Sequence, residues 1–217
     1  MAVPLSMMPR FGSKQYSVNM RIHTLIKPAL IIILAFVAAY GGGLAYRWQQ
    51  ENKIIMAEYA GYTGGDFTLK SAEGDVSLHD FKGRVVLIYF GYTYCPDVCP
   101  TSLAVMGEAM KQLEGEHKVK GLMISFDPER DTVERLSEYA PYFHPQISGI
   151  TSSAPRILEV STRYGVYYKK VEQAQGDDYL VDHTSRIYVI DQQGKLAGVL
   201  NHGATPQDVI ERVKRLL

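Results

Sequence analysis

Only two cysteines occur in 217 residues. That excludes a disulfide-stapled miniprotein, and equally an iron–sulfur cluster held by cysteines alone, which takes about four. An excess of one charge is also missing, because 23 Lys and Arg balance 23 Asp and Glu. The balance conceals a split. Residues 1–50 contain no acid and five bases (Arg10, Lys14, Arg21, Lys27 and Arg47), while the other 18 bases face all 23 acids, a net charge of −5. A −5 domain is a poor nucleic-acid binder, since phosphate recognition needs a basic face. No internal repeat or low-complexity tract is present, and 46% hydrophobic content excludes disorder and collagen.

Charge is absent from Pro28 to Tyr46. Nineteen uncharged, mostly apolar residues are long enough to cross a bilayer, and bases cluster before them, which keeps that end in the cytosol. The expected organisation is a cytosolic tail over 1–27, a transmembrane anchor over 28–46, a linker over 47–61 and an exported domain over 62–217. In a bacterium this is a single-pass inner-membrane protein with its domain on the periplasmic side. A cleaved signal peptide competes, because Val37-Ala38-Ala39 fits a small-residue cleavage site. No cysteine ends the run, so a lipoprotein anchor is not expected.

The exported domain alternates strand and helix patterns. Asp66–Leu69 and Asp75–Leu78 read as short strands and Asp80–Gly83 as a turn. Arg84–Phe90 is a continuous apolar strand of the kind covered on both faces. A loop over Gly91–Pro100 leads to a helix over Thr101–Leu113. Strand Lys120–Phe126, helix Val133–Tyr139, strand Ile147–Ile150 and helix Ala154–Tyr164 follow. Val166–Val171 and Tyr179–Val181 form a pair, and Arg186–Asp191 forms a hairpin with Gly198–Leu200. A last helix over Thr205–Leu217 is capped by Thr205 with Pro206 behind it. This order indicates an α/β sandwich, with a reactive loop at the C-terminal end of the first central strand.

That loop is Gly91-Tyr92-Thr93-Tyr94-Cys95-Pro96-Asp97-Val98-Cys99-Pro100. Cysteines four apart at the start of a helix share a face, close enough for a disulfide or for two thiolates on one metal. A helix N-terminus also favours the thiolate. A purely structural disulfide would close so short a loop that it removes little chain entropy. Thiolates select soft metals, and two of them leave at least one ligand to be found. His23, His79, His117 and His144 read as solvated. His183, just before a strand, and His202, in Asn201-His202-Gly203, are the rivals, and spacing does not decide between them. Two thiolates and one imidazole leave Cu(I) at −1 and Cu(II) at 0, whereas zinc asks for a fourth ligand. Asp127 and Asp131 follow the second central strand and could orient ligands. The plainer reading is that Asp127 starts a turn and Asp131 caps a helix. Tyr92 and Tyr94 read as packing.

Three motifs carry a resemblance: Phe90–Pro100, Ser125-Phe126-Asp127-Pro128-Glu129-Arg130-Asp131-Thr132, and Tyr179-Leu180-Val181-Asp182-His183-Thr184-Ser185. Together they resemble the Sco/SenC family of copper chaperones over about residues 62–215. The resemblance implies a thioredoxin-like fold and copper, as Cu(I) or Cu(II), on Cys95, Cys99 and His183. It also implies assembly of the dinuclear copper centre of cytochrome c oxidase. The implied partners are the copper-site subunit of that oxidase, an upstream copper donor protein and a thiol reductant. The alternative is a thiol–disulfide reductase that uses Cys95 and Cys99 on that subunit's cysteines. A peroxidase fits poorly, because Gly91–Tyr94 does not supply the expected residues before Cys95.

Overall fold

The computed structural model describes residues 28, 30–46, 62–113, 118–172 and 179–217. It divides into two compact units, Met1–Ala57 and Glu58–Leu217. In the first, helix α1 is described at residues 28 and 30–46, with each of those side chains exposed. Among the described residues no helix is long and apolar enough to cross a membrane. The tail expected over 1–27 and the linker over 47–61 lie outside the described residues.

The second unit begins with the antiparallel pair β1 (Thr68–Ser71) and β2 (Gly74–Ser77), followed by a 3-10 turn over Leu78–Phe81. Then come β3 (Val85–Gly91), α2 (Val98–Gln112), β4 (Val119–Ser125), α3 (Val133–Phe143), β5 (Ile147–Ile150) and α4 (Ala154–Arg163). They are followed by β6 (Tyr168–Glu172), β7 (Tyr179–His183), β8 (Arg186–Ile190), β9 (Leu196–Asn201) and α5 (Pro206–Lys214). Five strands make one sheet in the order β5-β4-β3-β8-β9. β3, β4 and β5 run parallel, while β8 and β9 are antiparallel additions. β6 and β7 stay outside it as a separate two-stranded sheet.

β3 is the middle strand and is buried at every position, which its unbroken apolar run requires. Its side chains alternate between two helical layers. The Tyr89 hydroxyl reaches Val98 O at the start of α2. On the other face the Phe90 ring packs at 5.6 Å from both Tyr188 and Tyr164, the residue that ends α4. The result is an α/β sandwich of thioredoxin type.

Four local expectations change. α2 begins at Val98, three residues early, so Cys99 and Pro100 belong to its first turn while Cys95 stays in the loop. α3 continues through Pro141 to Phe143, because burying Leu136 and Ala140 outweighs the lost backbone bond. β7 runs on to His183 rather than ending at Val181, so this histidine sits on a strand and not in a loop. His144, read as solvated, is buried, and its Nδ1 accepts from the Gln146 N–H at 3.1 Å.

Candidate metal centre

Strand direction brings the candidate ligands together. β3 and β8 are antiparallel with Tyr89 opposite Ile187. The loop leaving β3 therefore meets the chain entering β8 at the same end of the sheet. The first brings Cys95 and Cys99, the second His183. Their donor atoms all lie within 4.8 Å of one another. His202 is exposed after β9 and does not join this group, and His79 is exposed as well. His23 and His117 lie outside the described residues.

The cysteines are not bridged. A turn in which Tyr92 O accepts from the Cys95 N–H at 3.4 Å places the first sulfur just before α2. Cys99 is fully buried, whereas Cys95 is 8% exposed and is the sulfur nearer to solvent. Space for the Cys99 sulfur comes from Gly91. A β-carbon there would stand 2.9 Å from Cys99 Sγ and 2.8 Å from Tyr89 Cε1.

The His183 ring is held in one orientation. Thr184 O can only accept, so its 3.0 Å contact places the proton on Nδ1. Nε2, which lies 3.3 Å from Cys99 Sγ, then offers a lone pair to a metal when unprotonated and donates to the sulfurs when protonated. Tyr92 meets the ring edge-on at 5.9 Å, and Phe126 lies 4.9 Å away.

The two thiols have opposite tendencies. The Cys95 thiol is pushed well down, first by the hydrogen bond from Cys99 and next by that from His183, against the penalty of burial. Burial pushes Cys99 up, and the hydrogen bond to Cys95 adds to that. The helix N-terminus thus does not make Cys99 acidic. Desolvation outweighs it, and the thiolate settles on Cys95.

Asp131 and Asp127 hold the surrounding loops. The buried Asp131 carboxylate accepts from the Thr93 N–H at 2.9 Å, from Thr93 Oγ1 at 2.5 Å and from Ser125 Oγ at 2.6 Å. It therefore ties the cysteine loop to the end of β4. The helix cap expected of it falls to Thr132, whose side chain accepts from the Arg135 N–H. Asp127 accepts from Arg130 Nε at 2.7 Å and from the Tyr179 hydroxyl at 2.6 Å. Gly91, Thr93, Ser125, Arg130 and Tyr179 were not singled out in the sequence. The signal available was their position inside or next to the three motifs, most directly for Arg130 between the two aspartates.

The match to known proteins agrees with this geometry. A family model described as SCO1/SenC matches residues 56–217. The chain belongs to the SCO1/SenC family. The mitochondrial SCO2 homolog of Bos taurus is 35% identical over 202 residues, covering 87% of this chain and 76% of that protein. Bradyrhizobium japonicum ScoI with copper bound superposes with a TM-score of 0.65 at 40% identity, covering 71% of this chain and 99% of that one. BsSco, described as a member of the Sco family of cytochrome c oxidase assembly proteins with a disulfide switch, gives 0.57 at 30% identity, covering 72% and 94%.

The donor set of this SCO1/SenC chain suits a soft transition metal, with two sulfurs and an imidazole nitrogen. Among the described residues no fourth His, Cys, Asp or Glu joins the group, so protein side chains do not complete a tetrahedral zinc site.

Proposed function

We propose that this chain is a copper chaperone that helps to assemble the dinuclear copper centre of cytochrome c oxidase, holding copper as cargo on Cys95, Cys99 and His183. The convergence of these three donor atoms within 4.8 Å, from two separate parts of the chain, carries the reading. Copper-bound relatives of the same family support it. Two thiolates and a neutral imidazole leave the site at −1 with Cu(I) and at 0 with Cu(II), so both oxidation states are accommodated. Three ligands leave a coordination position through which a recipient's thiolates enter. Cys95, the more accessible sulfur, is the first to be exchanged.

The test is copper binding by the reduced protein. About one copper per chain is expected, and His183→Ala should abolish the Cu(II) thiolate charge-transfer band while leaving a two-sulfur Cu(I) complex. Full Cu(II) affinity in that variant would remove His183 from the site.

Thiol–disulfide exchange is the second reading, favoured by the unbridged, adjacent sulfurs and the lowered Cys95 thiol. Here the Cys95 thiolate attacks a recipient's disulfide, one recipient sulfur leaves as thiolate, and Cys99 then displaces the other to close Cys95–Cys99. The chain is oxidised and the recipient reduced. This reaction needs no imidazole, so a His183→Ala variant that still supports oxidase assembly favours it over copper delivery.

Membrane attachment belongs to the same proposal. The exposed apolar side chains of residues 30–46, the uncharged stretch 28–46 and the bases before it support an anchor that holds the copper domain on the periplasmic side of a bacterial inner membrane. Carbonate extraction of membranes tests it, since an anchored chain stays in the pellet.

A further inference from the structure

The two halves of the site belong to different sheets. The cysteines follow β3, in the middle of the five-stranded sheet, while His183 ends β7 in the separate β6–β7 pair. Among the described residues no backbone ladder joins the two sheets. Beyond the short chain link from His183 into β8, side chains therefore hold the β6–β7 arm against the cysteine loop.

Arg130 lies at that junction. Its side chain is 15% exposed. Nε donates to Asp127 Oδ2 at 2.7 Å, and Nη1 donates to Tyr179 O, at the start of β7, at 3.0 Å. The guanidinium carbon lies 3.6 Å from the centre of the Tyr179 ring and 4.6 Å from that of Tyr94, the residue before Cys95. Tyr92 is in reach at 5.7 Å, and its hydroxyl accepts from the Val181 N–H at 3.1 Å. One planar cation thus touches the Asp127 loop, the cysteine loop and the histidine arm.

We propose that Arg130 is a positioning residue that fastens the β6–β7 arm to the cysteine loop and so presents His183 to the metal. The contacts described for it are with neighbours of the ligands, and it acts by joining the arm to the cysteine loop. A planar guanidinium suits the task because it donates in two directions in its plane while its faces lie on aromatic rings, which an ammonium cannot reproduce. The nearby Lys170–Glu129 pair is solvent-exposed and, like other surface pairs, cannot substitute for it.

The inference rests on His183 being a ligand, and the test keeps the two questions apart. In the metal-free full chain, Arg130→Met should raise the hydrogen-exchange rate of the Val181 amide by about tenfold, leaving Ile88 and Tyr188 in the main sheet unchanged. In the copper-loaded protein it should lower Cu(II) affinity by about tenfold and weaken the nitrogen hyperfine signal, as loss of a ligand-orienting partner does. Added to His183→Ala, it should cost nothing more, because the two changes act on the same bond. Arg130→Lys should restore little.

Unchanged Val181 exchange, or loss of protection throughout the sheet, overturns the proposal, and so does an additive loss in the double variant. If Arg130→Met does not fold, Tyr179→Leu, which removes the ring beneath the guanidinium, is read by the same exchange measurement with the same two outcomes. An unaltered Cu(II) affinity in His183→Ala alone would refute the ligand assignment instead, and Val181 exchange still decides the role of Arg130.

Discussion

Asp131 grips Thr93 by two hydrogen bonds, one from its N–H at 2.9 Å and one from its hydroxyl at 2.5 Å. Thr93 is two residues before Cys95, so a buried carboxylate beyond β4 sets where the first sulfur stands. Asp131→Asn keeps the volume but turns one oxygen into a donor. The two hydroxyls, of Thr93 and Ser125, can rotate to accept, whereas the Thr93 N–H cannot. Loss of a charge-assisted buried bond should cost about 2 kcal/mol in urea unfolding and lower copper affinity about tenfold. A variant within 0.5 kcal/mol of the parent, a limit on the order of ordinary surface substitutions, would show that the carboxylate does not hold the loop.

Gly91 makes a different demand on the same loop. A methyl group there meets the Cys99 sulfur and the Tyr89 ring below 3 Å, and both are buried. Gly91→Ala should therefore displace the sulfur, costing about 1–3 kcal/mol as overpacking does. Copper affinity should suffer more than stability, because the clash falls on a proposed copper ligand. Thermal unfolding and copper competition on one sample compare the two. Equal affinity to the parent would mean that the sulfur has room to move.

Most of the sheet was legible because its strands are short and apolar and its turns carry Gly, Pro and Asp. β3 and the Ile147–Ile150 strand follow directly from that pattern. The errors lie where tertiary contacts override local preference. α2 starts before the expected Thr101 because Cys99 and Pro100 sit in its first turn, where proline is welcome. His144 was misread because nothing local marks its burial. Of the site, Cys95 and Cys99 stood out by spacing, yet His183 and His202 were equivalent until family resemblance and then strand direction separated them. Arg130 stayed obscure, and the partners of Asp131, itself expected as a possible ligand-orienting residue, stayed so for the same reason. Tyr179 and Thr93, the partners of Arg130 and Asp131, are 49 and 38 residues away, and no spacing rule reaches that far.

Tyr164 separates the fold from the site. Its ring packs against Phe90 and Tyr188 on the face away from Tyr89, and its hydroxyl donates to Gly65 O at 2.9 Å. Tyr164→Ala should destabilise the domain by about 3–5 kcal/mol, the usual cost of deleting a buried aromatic ring. Copper affinity of the folded fraction should stay within a factor of about two of the parent, because the site lies on the other side of β3. A large loss of affinity in samples shown by circular dichroism to be folded would mean that the two faces are coupled.

The thiol asymmetry predicts which cysteine reacts and at what pH. Hydrogen bonds from Cys99 and then His183 lower the Cys95 pKa below its ordinary value of 9.0, while burial raises that of Cys99. A thiol whose pKa is lowered is already thiolate below that ordinary value. In the reduced, metal-free protein, alkylation of Cys95 by iodoacetamide should thus be nearly independent of pH between about 6 and 8, whereas the unfolded chain should gain about tenfold per unit. Cys99 should stay unmodified. Cys99→Ala removes the leading hydrogen bond, so the Cys95 rate at pH ~6 should fall and regain the steep dependence of an ordinary thiol. Mass spectrometry of each labelled cysteine against pH measures both. If Cys95 in the folded parent climbs as steeply as in the unfolded chain, its thiol is not lowered, and the reductase reading loses its nucleophile.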